Sequence, residues 1–173
     1  MKLLIKLAIC TMFLFSCSFK LKFTVNGGND IFTEEHGGII DFSNINHGDM
    51  SKATLHALSK ADNLLNEILS IDDTLRTFEN TMVKLDDMYN EVSKPWNVIG
   101  LLSSVHPLEI IRDECDENDM IIQDYMLDVS LNESLYKALL EYEGLDEAKE
   151  LLIHRKRFLD GEISDFEKSG LGL

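Results

Sequence analysis

The sequence is short of the residues that break, staple or bridge a chain. Two prolines and ten glycines among 173 residues leave long stretches without a turn signal. No convincing alternation of apolar and polar residues, the signature of a half-buried strand, follows Phe42. Of the three cysteines, Cys10 and Cys17 fall in the N-terminal segment, which leaves Cys115 alone in the remainder and excludes a disulfide framework. Basic residues are outnumbered 16 to 31 by acidic ones, for a formal net charge of −15. A polyanion would be repelled and no basic stripe offsets this, so nucleic acid is not an expected partner.

Catalytic signatures are absent as well. H-E-x-x-H, C-x-x-C, G-x-G-x-x-G, G-x-x-x-x-G-K-[ST] and G-x-S-x-G do not occur. His36, His47, His56, His106 and His154 lie far apart, none with a second histidine at helical spacing. Carboxylate pairs such as Asp86-Asp87 are adjacent and do not face each other on a helix. Glu34, Glu35 and His36 are consecutive, which suits a solvated loop better than one ion. The sequence therefore assigns no catalytic residue, no metal ligand and no cofactor of the chain's own.

What is present is helical. Hydrophobic residues make up 45% and charged residues 27%, a balance that folds, at a length suited to one domain with a core. The expected fold class is all-α: an antiparallel bundle of about five helices over residues 50–173, behind a signal peptide (1–16) and a tether with a lead-in segment (17–49).

The central helix is read over residues 75–99. Leu75, Phe78, Met82, Leu85, Tyr89, Val92, Trp96 and Ile99 recur at steps of three and four and form one stripe. Trp96 is read as core. Pro95 either kinks this helix or sits in the first turn of a new one capped by Ser93.

Before it, a helix is expected over 51–71, capped by Asp49, with Leu58, Ala61, Leu65 and Ile68 as its stripe. After His106-Pro107, a third is expected over 108–129. Its stripe is Leu108, Ile111, Cys115, Ile122, Tyr125 and Val129, with Asn118 filling the gap, and Cys115 is read as a buried, inert thiol. Glu109, Asp113, Glu114, Asp116, Glu117 and Asp119 are read as a solvated face, because they lack the glycine and ligand alternation of a calcium loop.

Ser130-Leu131-Asn132-Glu133 reads as a capping box for a fourth helix that stops, left-handed, at Gly144. A fifth runs over 146–169 to Gly170, with Ala148, Leu152, Leu159, Ile163 and Phe166 on its face and Gly161 as a candidate break. His154-Arg155-Lys156-Arg157, the one basic knot, is expected to pair with the acidic helices.

The first residues read as an address. Lys2 and Lys6 precede a short apolar run at 7–15, too short to span a bilayer and arranged like a secretory signal. Leu14-Phe15-Ser16-Cys17 resembles a bacterial lipobox, in which Cys17 would carry the lipid and anchor an exported chain to a membrane, periplasmic or at the cell surface. Phe15 is bulkier than usual there, and an ordinary secretory signal with an incidental cysteine is the competing reading. Phe32, Ile39, Ile40, Phe42 and Ile45 are expected to pack an extended piece onto the body.

Thr77-Phe78-Glu79-Asn80-Thr81, followed by Val83, Leu85 and Asp86, resembles the T-[FY]-E-N-T run in the N-terminal helical region of the thimet-oligopeptidase family of zinc metallopeptidases. Ile40-Asp41-Phe42, Ile45 and Leu64-Leu65-Asn66-Glu67-Ile68 upstream are similar to the same region. So are Leu135-Tyr136 and the closing Asp165-Phe166-Glu167-Lys168-Ser169-Gly170-Leu171-Gly172-Leu173. The matches fall in the family's order over residues 40–173.

The resemblance implies a larger protein whose zinc is held far downstream by H-E-x-x-H and a further glutamate. None of those positions exists in this sequence. Thr77, Phe78, Glu79, Asn80, Thr81, Phe166 and Gly170 carry over as structural residues only. The family's N-terminal helices wall a deep channel that admits short peptides. This implies a non-catalytic N-terminal part of an exported zinc oligopeptidase-like protein, possessing a catalytic lobe elsewhere or in another chain. The other reading is a stand-alone helical lipoprotein that binds a partner or a short peptide.

Overall fold

The computed structural model describes residues 40–172. Cys17 and the expected signal and tether, apart from 40–49, lie outside the described residues. Among the described residues there is no strand, and six α-helices form the all-α bundle: α1 (Asp49–Leu69), α2 (Lys84–Val105), α3 (Glu109–Ser130), α4 (Glu133–Gly144), α5 (Asp146–Lys149) and α6 (Ile153–Lys168). No helix among them is long and apolar enough to cross a membrane.

α2 lies between α1 and α3. Lys84 near the start of α2 pairs with Glu67 near the end of α1, and Lys60 pairs with Glu91 farther along, so these helices run antiparallel. A short connection through His106 and Pro107 turns the chain from α2 into α3. The core between them holds Met50, Ala61, Ile68, Met82, Leu85, Met88, Ile99, Cys115 and Ile122, each fully buried. Burial and the nearby Glu114 and Asp116 charges push the Cys115 thiol up to about 11, so it stays protonated and inert.

The central stripe is rotated from its expected line. The buried row of α2 is Leu85, Met88, Val92, Pro95, Ile99 and Leu102, while Tyr89 and Trp96 flank it half-buried. Both flanking rings carry a polar tip that needs a partner. Tyr89 Oη donates to Glu162 at 2.9 Å and Trp96 Nε1 donates to Asp119 at 2.6 Å.

Leu75 is 68% exposed and off the stripe. It belongs to a short 3-10 turn, and a π-helical turn (Phe78–Val83) separates it from α2. A π turn holds more residues than an α turn, so a phase counted back through it fails. The helix continues through Pro95, and Ser93 is no cap, since its hydroxyl donates to the Asn90 carbonyl.

Two other expected boundaries move, and a third stands where expected but in another conformation. Asn132, not Ser130, caps α4 by accepting from the Leu135 amide at 2.9 Å; Ser130 is the last residue of α3. Gly144 ends α4 without a positive φ, and the chain leaves through extended Leu145. The expected fifth helix is divided between α5 and α6 at residues 150–152, while Gly161 sits inside an unbroken helix held by buried Leu159 and Ile163.

α1 shows how charge is used in this fold. Its N-cap is Gly48 at φ +96°, a left-handed conformation that glycine adopts without strain. Asp49 is not the cap; its carboxylate accepts from the Asn46 amide. The cap comes from α3. Glu114, only 3% exposed, accepts from Gly48 N (2.7 Å), Ser51 N (2.8 Å), Ser51 Oγ (2.9 Å) and pairs with His47 Nδ1 (2.9 Å). This corrects the reading of Glu114 as part of a solvated face. Buried Asn118 completes the cluster by donating to Ser51 Oγ and to the Glu114 carbonyl.

At the other end of α1, buried Arg76 donates to the carbonyls of Ile68 and Ile71, each at 3.0 Å, and is held by Asp73. A carboxylate therefore closes the positive end of the helix dipole and a guanidinium the negative end.

Candidate functional site

Five of the residues singled out by the family resemblance, Thr77 to Thr81, form the turn that leads into α2. Thr77 accepts from the Asn80 amide at 3.1 Å, and the Asn80 side chain accepts from the Thr77 amide at 2.8 Å, a reciprocal box that satisfies two free donors. Asn80 also donates to the Leu75 carbonyl, and fully buried Thr81 donates its hydroxyl back to Asn80.

The next helical pieces close on this turn. Glu147 of α5 accepts from the Phe78 amide at 3.4 Å and from the Tyr142 hydroxyl at 2.5 Å. Burial, then the bond and charge of Glu147, raise the Tyr142 phenol well above its ordinary range. Arg155 of α6 pairs with Glu79 at 3.1 Å, and its guanidinium carbon lies 4.4 Å from the centre of the Phe78 ring. Phe158 meets the same ring edge-on at 6.5 Å. Glu147 and Arg155 are thus both anchored at one turn, which requires the chain to bend between them. That is why the break falls at 150–152 and not at Gly161. The rest of the basic knot contributes Lys156, which pairs with Glu143 and Asp160.

The closing residues build a second junction. Gly170, at φ +107°, lets its own amide bond to the Glu167 carbonyl and the Leu171 amide to that of Phe166, a Schellman stop. Phe166 is buried against Tyr136, with ring centres 5.9 Å apart. Gly172, at φ +96°, takes a left-handed conformation that favours glycine and passes close to the Tyr136 hydroxyl, which a Cβ there would meet at 2.8 Å.

A third junction joins α2 to α6 through Tyr89 and Glu162. Burial raises the Glu162 carboxyl; the Tyr89 bond lowers it, and the Asp165 and Asp86 charges raise it further. With a folded pKa above the unfolded one, the ionised form weakens the fold at neutral pH, and that cost disappears as pH falls through the folded pKa. Glu162→Gln keeps an acceptor for Tyr89. It is expected to leave stability at pH 7 unchanged or to raise it by up to about 1 kcal/mol, read by urea unfolding. A loss of stability at pH 7 would show that the charge itself holds α6.

Among the described residues no three His, Cys, Asp or Glu side chains are grouped to hold a metal ion. The zinc implied by the family resemblance finds no fitting set here: His47 is bound to Glu114, and His106 accepts from the Leu108 amide. What the motif residues build is a set of helix caps and junctions, in a helical framework domain.

That framework has known relatives. Residues 56–173 match the Neurolysin/Thimet oligopeptidase N-terminal domain, and the chain belongs to that family. It is 24% identical over 136 residues to oligopeptidase A of Haemophilus influenzae, which covers 79% of this chain and 20% of that protein. It is 29% identical over 119 residues to a thimet-like oligopeptidase of Dictyostelium discoideum, covering 65% of this chain and 17% of the relative. Oligopeptidase A of Escherichia coli is 27% identical over 97 residues, or 56% of this chain and 14% of the relative. The chain thus spans a fifth or less of the length of these curated relatives.

Proposed function

We propose that this chain serves as the non-catalytic helical part of an exported oligopeptidase-type metallopeptidase, folded as a framework against which a catalytic lobe for short peptides is completed. The observation that carries this reading is the family match over residues 56–173, with relatives named oligopeptidases of which it covers only the smaller part. The junctions around Thr77 and Phe78 support it, because Phe78 and Glu79 tie this turn to the last two helices while Thr77 and Asn80 cap it. Export and a lipid on Cys17 rest on Lys2, Lys6, the apolar run and the Leu14-Phe15-Ser16-Cys17 sequence.

The test takes the purified chain, supplied with zinc, against an internally quenched short peptide. The expected result is no hydrolysis above the blank and no stoichiometric zinc. Hydrolysis with one bound zinc per chain would overturn the reading. In the same cells, labelled palmitate is expected to enter the chain and to be lost in Cys17→Ala; equal labelling of both removes the anchor.

A further inference from the structure

Two exposed faces of the bundle carry opposite chemistry. The buried side of α3 packs against α2 and α1. Its outer side carries Ile110, Met120, Ile121 and Leu127, each 45 to 60% exposed. Glu117, Asp124 and Asp128 stand among them, exposed and with no cationic partner among the described residues. Steps of three, four and seven residues place all of these on one stripe of the helix. Apolar residues gathered in this way mark a contact surface, whereas scattered single ones would need no explanation. The interspersed carboxylates select a partner that brings positive charge.

α6 begins with the complementary chemistry. Leu152 and Ile153, at its N-terminus, are 66% and 75% exposed, and no other large apolar side chain among the described residues is as exposed as Ile153. Arg157 lies one turn beyond Ile153 on the same side of the helix, and it too is exposed. Arg155 and Lys156 beside it are paired with Glu79, Glu143 and Asp160, but Arg157 has no carboxylate partner among the described residues. With 31 acidic residues against 16 basic ones, such a cation is scarce, and here it stands beside two bare apolar side chains.

Gly161 continues that side of α6 by one more turn. Its φ is not positive, and a Cβ built on it would meet nothing within 4 Å. Alanine would therefore fit and would favour the helix. What glycine adds at such a position is room for another backbone to come close. Both faces stay exposed in the folded chain, so they can cover each other only between molecules.

We propose that the α3 face of Ile110, Met120, Ile121 and Leu127 is the docking surface for the α6 corner of Leu152, Ile153 and Arg157 on a second copy of this chain. Apolar side chains meet across the contact, and Asp124 and Asp128 draw in Arg157. Two different surfaces meet, so the contact is heterologous. The proposal does not depend on the peptidase reading.

The test compares three full-length proteins by sedimentation equilibrium in about 0.15 M salt, which screens the repulsion between acidic copies. They are the wild type, Asp124→Lys with Asp128→Lys, and Arg157→Glu. All three changed positions are exposed and unpaired among the described residues, so the fold is kept. The wild type is expected to associate as its concentration rises, and each variant to do so about fivefold more weakly or less. An equimolar mixture of the two variants, one of them fluorescently labelled, is expected to recover the wild-type association, because each retains the face that the other has lost. A wild type that stays monomeric at every concentration would overturn the proposal and leave the face to a different partner. Variants that associate as the wild type does, as they would through the apolar run at 7–15, would overturn it too, and so would a mixture that stays apart.

Discussion

Glu114→Ala is expected to lower the unfolding free energy by about 3 kcal/mol, from the loss of charge-assisted hydrogen bonds and a helix cap together. The carboxylate accepts from two backbone amides and a hydroxyl and pairs with His47, and alanine takes the acceptor from the half-buried amides of Gly48 and Ser51. For a domain of this size the midpoint of thermal unfolding should fall by roughly 10 °C. Glu114→Gln keeps one acceptor oxygen but turns an amide donor toward other donors, so a smaller loss of about 1–2 kcal/mol is expected. Calorimetry of the three proteins decides it: a change in Glu114→Ala below about 1 kcal/mol would mean that water replaces the cap without cost.

The pH dependence has a definite sign. Burial alone would raise the Glu114 carboxyl, but the bonds from Gly48, Ser51 and His47 outweigh it and hold the group below its ordinary 4.5. With the folded value depressed, its contribution is fully present above the unfolded value and is lost as pH falls through the folded one. The wild-type and Glu114→Ala curves of stability against pH should therefore draw together as pH falls below the ordinary carboxylate range. Glu162 behaves in the opposite sense, so the same Glu→Gln exchange weakens the fold at one position and spares it at the other.

The second large effect is at the other end of α1. Arg76→Met preserves much of the apolar stem but removes the donors from the Ile68 and Ile71 carbonyls. The expected loss is about 2–3 kcal/mol, because two carbonyls at the negative end of the helix dipole lose a charged donor, the Ile68 oxygen keeping only backbone amides. Arg76→Lys should recover less than half of it, since an ammonium is a point charge and cannot span both carbonyls and Asp73 as the planar fork does. Full rescue by lysine in urea unfolding would assign the effect to charge alone and dismiss the fork.

The all-α class and the order of the main helices were legible because α1, α2 and α3 carry long apolar stripes at helical spacing. The stop before α3 was legible in His106-Pro107, and the stop after α6 in Gly170. The finer misreadings have physical causes. Tyr89 and Trp96 counted as stripe residues because periodicity registers their rings and ignores the polar tips that draw them to Glu162 and Asp119. Met88 stands in the buried row because the inward step from Leu85 is three residues, where the spacing read four to Tyr89.

Glu114 was grouped with its acidic neighbours, yet it stands three residues after Ile111 and four before Asn118, both buried, so its helical phase already placed it inward. Nothing local marks Gly48 and Ser51 as its partners, because they come from a segment over sixty residues earlier. The division between α5 and α6 was hidden likewise, since it depends on Glu147 and Arg155 meeting the turn at Phe78 and Glu79.

The two clamps on α1 also differ in when they can close. Arg76 reaches a carbonyl only eight residues back, whereas the Glu114 bonds span 63 to 67 residues. Loop closure favours the short connection, so the Arg76 clamp is available to a chain that has formed little more than its first helix, while the Glu114 clamp waits until α3 has arrived. In rate measurements Arg76→Met should slow refolding, and Glu114→Ala should chiefly speed unfolding. Refolding slowed equally by both would place the arrival of α3 before the rate-limiting step. In the expected order the first helix is tied at its tail early and at its head last, so that completion of the fold is registered at the point where the chain enters the bundle.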